Sequence, residues 1–153
     1  FFKIIMLKIC IVSSVGGHLT EILSLRDKYR KFEHFYVLNK RIVPPVELKE
    51  DVFFIQHSQR DYKLIINFIE AFIIIFKKRP NVILSAGAGP AVPFSLIGKY
   101  LFGTKIIFIE TMSSVKDPTL TGRLMHIFAD IFIYQWEYLQ DFYPKGIYLG
   151  TLI

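Results

Sequence analysis

The sequence predicts an α/β protein with an open parallel sheet and helices on both of its faces. Two observations lead to this fold class. Apolar runs of strand length alternate along the chain with longer segments of helical periodicity. The strand-like runs are continuous in Ile, Val and Phe, which is typical of parallel strands buried on both faces. The 153 residues suffice for one domain, so we expect a single Rossmann-like domain over residues 1–153.

In the first half of the chain, apolar runs predict the strands Leu7–Ser13, His34–Asn39 and Val52–Gln56. Leu and Ile side chains recur at helical spacing between the first two strands, which predicts a helix over Leu19–Tyr29. Two adjacent prolines interrupt residues 40–51, so we expect a loop there. A second helix is predicted over Tyr62–Lys78, because the helical pattern stops just before Pro80.

In the second half, apolar runs predict the strands Val82–Ser85, Lys105–Ile109, Ile131–Tyr134 and Ile147–Leu149. Helical patterns separate these strands at Ala91–Phe102, Thr121–Ala129 and Glu137–Tyr143. Gly103 directly follows the first of these helices, as is typical of a helix C-terminus. In open α/β sheets ligands bind outside the carboxyl ends of the strands, so we expect a site in the loops that follow the strands.

Charge and hydropathy narrow the classes of partner. Lys and Arg number 19 against 13 Asp and Glu, and the net charge of +6 favours partners that carry phosphate groups. The aromatic side chains fall in core-like runs instead of between basic residues, so no nucleic-acid partner is expected. The mean hydropathy of +0.39 is high for a freely soluble protein, yet no run is long enough to span a bilayer. The single Cys10 excludes an internal disulfide and suits a reducing cytoplasm. The sequence leaves open whether Phe1–Ile5 belong to the native protein.

The loop between the first strand and the first helix has the composition of an anion-binding loop. It contains Ser14, Gly16, Gly17 and His18, and a helix follows at once. Glycines let the backbone approach a ligand closely, and the start of a helix presents free N–H groups and a positive dipole. A histidine at that position is disfavoured as a cation, so His18 stays neutral and able to act as a base. The alternative is that His18 is an ordinary turn or capping residue.

Two later loops at the same predicted edge are also candidates. Small residues at Gly87 and Gly89 allow the close approach of a ligand or, alternatively, tight packing of a helix on the sheet. Glu110 follows the strand Lys105–Ile109 and precedes a polar segment that includes Ser113. A lone carboxylate there can bind a sugar hydroxyl, act as a base or cap the next segment. No Cys/His cluster has the spacing of metal ligands, so no metal site is expected.

The predicted helix before Pro80 is unusually apolar. One narrow polar stripe runs along it, made of Lys63, Asn67 and Glu70. The remaining surface carries Phe68, Phe72 and Phe76, and three basic residues follow, Lys77, Lys78 and Arg79. At about 1.5 Å per residue the helix is shorter than the roughly 30 Å hydrocarbon core of a bilayer. Either it is wedged between the sheet and a neighbour, or its apolar face enters a membrane surface while its basic end meets phosphates.

Three segments together resemble one family along almost the whole chain. They are SSVGGHLTEIL at 13–23, LSAGAGPAVPFSLIGKYLFGTKIIFIE at 84–110, and TLTGRLMHIFADIFIYQWEYLQDFYPKGIYLG at 119–150. The chain resembles the anchor subunit of the eukaryotic dolichol-linked UDP-GlcNAc transferase and its bacterial capsule and exopolysaccharide counterparts, the PssD-like and CpsF-like proteins. Its Gly-Gly-His loop is also similar to that of the peptidoglycan UDP-GlcNAc transferase.

The resemblance implies the N-terminal, acceptor-side half of a split GT-B glycosyltransferase, whose second subunit supplies the other Rossmann half. The corresponding family positions in this chain are Gly16, Gly17, His18, Gly87, Gly89 and Glu110. The eukaryotic anchor subunit carries an N-terminal transmembrane helix, whereas this chain begins at its first strand. Peripheral attachment to the membrane is therefore expected from a surface patch within Lys63–Arg79.

The reaction that the resemblance implies is transfer of galactose or N-acetylglucosamine from a UDP-sugar to an undecaprenyl-diphosphate-linked sugar on the cytoplasmic side. His18 or Glu110 is expected to deprotonate the acceptor hydroxyl. The diphosphate or the acceptor is expected to bind at Ser14, Gly16, Gly17, Gly87, Gly89 and Ser113. No cofactor besides the UDP-sugar is implied, because GT-B sites generally use helix dipoles and basic groups. The alternative is a non-catalytic subunit that recruits and orients a catalytic partner.

Overall fold

Seven parallel strands form one sheet in the order β3-β2-β1-β4-β5-β6-β7. The structure is a computed structural model and describes residues 6–39, 48, 51–58 and 62–153. Its strands are β1 (Lys8–Ser13), β2 (Glu33–Asn39), β3 (Val52–Ile55), β4 (Val82–Ala86), β5 (Lys105–Ile109), β6 (Ile131–Tyr134) and β7 (Ile147–Tyr148). The predicted open parallel sheet is thereby confirmed.

Helices cover both faces of this sheet, as predicted. They are α1 (Gly17–Ser24), α2 (Arg26–Tyr29), α3 (Lys63–Lys78), α4 (Ala91–Phe102) and α5 (Leu120–Phe128), followed by a 3-10 turn at Glu137–Leu139. Side chains of α1 and α2 pack with one face of the sheet, and those of α3, α4 and α5 pack with the other. The strands are apolar throughout because neighbouring side chains along each strand point into opposite cores.

Two predicted helices differ from the observed ones by more than one residue at an end. The helix expected over Leu19–Tyr29 begins earlier, at Gly17, and is divided at Leu25, whose N–H donates to the carbonyl of Ile22 at 3.1 Å. The helix expected over Glu137–Tyr143 is only the 3-10 turn, because Tyr143 turns into the core ahead of Pro144. Most of the predicted loop at 40–51 lies outside the described residues, as do residues 1–5.

The strand order creates a natural crevice at the centre of the sheet. The chain moves from β1 to β2 and β3 on one side, and then crosses to β4, which pairs with the other edge of β1. Loops after β1 and β4 therefore leave the sheet in opposite directions, and the space between them is where open α/β proteins bind ligands. Both glycine-containing loops singled out from the sequence lie at this point.

Candidate functional site

A cleft of about 670 Å³ opens at the carboxyl edge of the sheet. One wall is the first part of α1, with Gly17, His18, Thr20 and Glu21. The opposite wall consists of Thr111, Met112 and Ser113 after β5 and of Trp136 after β6. Three of the predicted site residues, Gly17, His18 and Ser113, thus line one cleft. The other predicted site residues do not line it: Ser14, Gly16, Gly87, Gly89 and Glu110.

The N-terminus of α1 is open toward the cleft. Gly16 precedes the helix with a φ of 120°, which favours glycine, and no described side chain caps the helix start. No described atom lies within 4 Å of where a Cβ would stand on Gly16 or Gly17, so their backbone is accessible to a ligand. The first N–H groups of a helix lack acceptors within the helix, and they lie at its positive end. This arrangement is suited to an anion.

His18 is half-buried on the cleft wall, and its Nδ1 has no hydrogen-bond partner in the described part of the chain. Gly87 packs directly against it, because a Cβ there would stand 2.7 Å from both His18 Cε1 and Thr111 Cβ. Gly87 also has a φ of 68°. The second glycine loop therefore supports the imidazole from behind, in line with the close-packing alternative, while Gly89 is exposed nearby.

Burial holds the pKa of His18 below its ordinary value near 6.5, while the nearby charges of Glu21 and Glu110 oppose that effect. A lowered pKa leaves the imidazole neutral at pH 7, the form that can accept a proton.

If His18 acts as a base, activity is expected to be constant around neutral pH and to fall with acidification only below pH 6.5, as the imidazole becomes protonated. The measurement is kcat/KM against pH for whichever transfer reaction the chain supports, with any second subunit that the reaction requires. His18→Gln, which does not titrate, is expected to have low residual activity without this acid limb. An acid limb retained in that variant would assign it to another group.

Glu110 is fully buried and faces away from the cleft. Its carboxylate accepts hydrogen bonds from Thr119 Oγ1 at 2.8 Å, from the Thr111 N–H at 3.1 Å and from the Tyr143 hydroxyl. Thr119 is the N-cap of α5, so the contacts match the capping role among the three that the sequence left open. With these donors engaged, the carboxylate has no access to an acceptor hydroxyl, and the described geometry does not support Glu110 as the base.

Burial and the hydrogen bond to Glu110 raise the pKa of the Tyr143 hydroxyl. Tyr143 thus remains a neutral donor to the carboxylate, and the pair joins the end of β5 to the C-terminal segment.

Several residues of the site were missed by the sequence analysis. Glu21 and Gln135 are buried beside the cleft, and the Trp136 indole N–H donates to the Met112 carbonyl at 2.6 Å. Asn39, at the end of β2, accepts a hydrogen bond at 2.9 Å from the N–H of Val15 and thereby holds the first glycine loop. One signal was available: Glu21 lies between apolar helix positions that pack into the core.

The surface of α3 reverses the usual arrangement of an amphipathic helix. Its polar stripe faces inward: Asn67 is 0% exposed and donates to the Gln56 carbonyl at 2.8 Å, while Glu70 accepts from the Gln56 N–H at 3.1 Å. The outward face is apolar and exposed, with Ile65, Ile66, Ile69, Phe72, Ile73 and Phe76. We call these six residues the α3 patch. Helix α3 packs between the sheet and α4, and the rings of Phe72 and Phe76 contact Phe102 of α4. The six side chains nevertheless stay exposed in the described part of the chain.

The basic residues predicted beside this patch divide into two groups. Lys77 and Arg79 are exposed, and the Arg79 guanidinium lies 4.8 Å from the ring centres of Phe76 and Phe102. Lys78 was predicted to meet phosphates at the membrane surface, but its ammonium forms an ion pair with Asp51 at 2.8 Å and lies over the Phe53 ring. Phe68 and Lys63 are half-buried at the margin. In the part of the chain that the structure describes, no helix is both long and apolar enough to cross a membrane.

Comparison with known proteins places these features in a family. The family model described as "Oligosaccharide biosynthesis protein Alg14 like" matches residues 52–152. UDP-N-acetylglucosamine transferase subunit ALG14 of Candida albicans is 40% identical over 96 residues, which cover 58% of this chain and 43% of that protein. The mouse subunit of the same name is 31% identical over 88 residues, 54% of this chain and 41% of its own length. The matched region is thus less than half of these relatives.

Solved structures share the fold at low sequence identity. A UDP-N-acetylglucosamine 2-epimerase from Rickettsia bellii superposes with a TM-score of 0.75 and 12% identity, over 96% of this chain and 45% of that one. MurG of Acinetobacter baumannii has a TM-score of 0.67 and 12% identity, over 84% of this chain and 41% of its own. These likenesses concern the fold alone. The family match, which covers more than half of the chain, shows that the protein belongs to the Alg14-like family of oligosaccharide biosynthesis proteins.

Proposed function

We propose that this chain is the acceptor-side subunit of a two-part GT-B glycosyltransferase, active with a second subunit that supplies the other half of the cleft. The transferred sugar comes from a UDP-sugar, and the acceptor is a sugar on a lipid diphosphate. The observation that carries the proposal is the cleft beside the uncapped α1, with a half-buried His18 on its wall. The relatives' name, UDP-N-acetylglucosamine transferase subunit, favours N-acetylglucosamine over galactose as the donor sugar.

In the proposed reaction His18 takes the proton of the acceptor hydroxyl. The acceptor oxygen forms a bond to the anomeric carbon of the donor sugar, and the bond from that carbon to the diphosphate oxygen breaks. The electron pair of the broken bond leaves with UDP. The free N–H groups at Gly17 and His18 and the positive end of α1 stabilise diphosphate charge near the cleft. No cofactor besides the UDP-sugar takes part in the proposal.

The test is to co-express the chain with a candidate second subunit and to supply UDP-GlcNAc or UDP-galactose with an undecaprenyl-diphosphate-linked sugar. Transfer by the complex, with neither subunit active alone, is the expected result. Full activity of the second subunit alone on a soluble acceptor would instead identify this chain as a recruiting subunit. An inactive complex with a second subunit that copurifies with this chain would contradict the donor and acceptor classes.

We also propose that the α3 patch holds the protein peripherally on the cytoplasmic face of the membrane. Helix α3 follows β3, so it begins at the carboxyl edge of the sheet, the edge at which the cleft opens. A protein resting on this patch would receive a lipid-borne acceptor at the cleft. The exposed Lys77 and Arg79 provide charge for anionic headgroups. That the proposed sugar transfer belongs to a capsular or exopolysaccharide pathway stays a prediction from the resemblance to the bacterial proteins.

The double substitution Ile65→Ser and Ile69→Ser is expected to weaken binding to anionic phospholipid vesicles by on the order of tenfold or more. These side chains are 66% and 57% exposed, so their loss removes apolar contact with lipid and leaves the core unchanged. Vesicle co-sedimentation measures the effect. The matched control is Ile127→Ser on α5, where the side chain is 79% exposed. An equal loss in the control would contradict the α3 assignment.

A further inference from the structure

A buried acid lies beside the cleft, and the proposed reaction does not use it. Glu21 is 4% exposed and lies on α1 three residues after His18, so the two side chains share one side of the helix. A carboxylate removed from water is costly unless hydrogen-bond donors surround it. The donors that Glu21 finds belong to the opposite wall of the cleft.

Three groups donate to the Glu21 carboxylate from loops that are distant in sequence. The Thr111 hydroxyl donates to Oε1 at 2.8 Å, and the Met112 N–H donates to the same oxygen at 3.1 Å. The Gln135 amide donates to Oε2 at 3.1 Å. Glu21 therefore connects α1 to the loop after β5 and to the loop after β6. These contacts set the distance between the two walls of the cleft.

Gln135 extends the same network behind the cleft. Its Nε2 also donates to the Glu110 carbonyl at 3.0 Å, and its Oε1 accepts from the Leu152 N–H at 2.9 Å. A single buried amide thus supports Glu21 and fixes the loop that carries Trp136. Gln135 does not line the cleft, whereas Glu21 lies in its wall. Because Glu21 is only 4% exposed and both of its carboxylate oxygens accept hydrogen bonds from the protein, it acts on the site through its neighbours.

We propose that Glu21 is a positioning residue, whose carboxylate joins α1 to the opposite wall of the cleft and keeps the His18 imidazole in place and able to take a proton. The catalytic part of this inference rests on the proposed function, whereas the link between Glu21 and His18 does not. Two charged groups act on His18, Glu21 from α1 and Glu110 from the end of β5. Of the two, only Glu21 lies in the cleft wall, whereas Glu110 is buried behind it against Thr119 and Tyr143.

Histidine side-chain NMR on the purified chain tests the link without any transfer reaction. Glu21→Gln removes the charge and keeps the length of the side chain, so His18 is expected to titrate at a lower pH than in the wild type. His18→Gln assigns the signal. Glu137→Gln is the matched control, because it makes the same change at an exposed acid, and it should leave the titration unchanged. An unchanged His18 titration in folded Glu21→Gln overturns the proposal.

In the two-subunit assay, Glu21→Gln is expected to lower kcat by on the order of tenfold with little change in KM, since both carboxylate oxygens of Glu21 are occupied by donors of the protein itself. The acid limb of the pH profile moves to lower pH. Glu21→Asp keeps the charge but is too short for the same bridge, so it is expected to lower kcat while His18 titrates as in the wild type. Loss of stability alone, with kcat and the acid limb unchanged, would reduce Glu21 to a structural role and overturn the proposal.

If Glu21→Gln does not fold, a substitution of its hydrogen-bond partner Thr111 tests the same contact. Thr111→Val removes one hydroxyl donor from Glu21 at similar side-chain size, and it is expected to lower kcat several-fold at unchanged KM. An unchanged kcat in this variant overturns the positioning role. If the wild-type complex transfers no sugar, the proposed function fails, while the NMR titrations of Glu21→Gln and Glu21→Asp still decide whether Glu21 acts on His18.

Discussion

Replacing His18 by alanine in the proposed two-subunit transferase is expected to lower kcat by roughly 100-fold or more, because a positioned general base typically contributes about 10²–10⁴-fold. His18 lines the cleft, its buried Nδ1 lies against Gly87 without a described hydrogen-bond partner, and burial lowers the pKa of the imidazole. KM for the lipid acceptor is expected to change little, since the side chain acts on a proton and not on the diphosphate. Initial rates at varied acceptor concentration measure both constants.

The matched control is His34→Gln. His34 lies near the amino end of β2, at the edge of the sheet opposite the cleft, where its Nδ1 contacts the Phe32 carbonyl at 2.8 Å. Its substitution is expected to leave kcat unchanged. Wild-type turnover in His18→Ala would remove His18 from the chemistry and leave only binding and orientation to this chain. Thermal unfolding of each variant checks that the protein tested is folded.

Gly122→Ala is expected to destabilise the fold by about 3 kcal/mol, the upper end of the usual cost of overpacking a core. A Cβ at this position would overlap the Glu110 carboxylate and stand 2.5 Å from the Tyr143 hydroxyl oxygen. Neither group can move aside easily, because both are buried and hydrogen-bonded to each other. Urea unfolding monitored by circular dichroism measures the loss as a lower midpoint at an unchanged slope.

Gly89→Ala is the matched control for this substitution. Gly89 has no described atom within 4 Å of its Cβ position, and its φ is not in the left-handed region. Its free energy of unfolding is expected to stay within about 1 kcal/mol of the wild type. If Gly122→Ala were as stable as the control, the contact between Glu110 and Tyr143 could not exist as described.

The elements of the fold were predictable because their signals are local. The strands Lys105–Ile109 and Ile131–Tyr134 and the helix Ala91–Phe102 have the predicted bounds. Continuous apolar runs specify burial on both faces whatever the partner strand, so the sheet could be inferred as parallel before its order was known. The end of the first helix was not predictable, because nothing in its periodicity marks the break at Leu25.

The candidate site was predictable only as a set of loops at one edge. Parallel strands bring their carboxyl ends together, so the loops with Gly17, His18 and Ser113 had to lie near one another. Glu21 was missed because its partners lie 90 residues away at Thr111 and 114 residues away at Gln135. A contact over such a separation leaves no local pattern besides one acid within an apolar helix face.

Periodicity and loop composition by themselves determined the Rossmann-like sheet, the edge that carries the cleft, and the presence of an excess of apolar surface. The tertiary structure alone decided where individual side chains point. It turned Glu110 into the core against Tyr143, directed Asn67 inward, and left the α3 patch outside. The physical reason is that periodicity reports the local spacing of apolar residues, whereas the direction of a polar side chain depends on which donors the packed fold brings within reach.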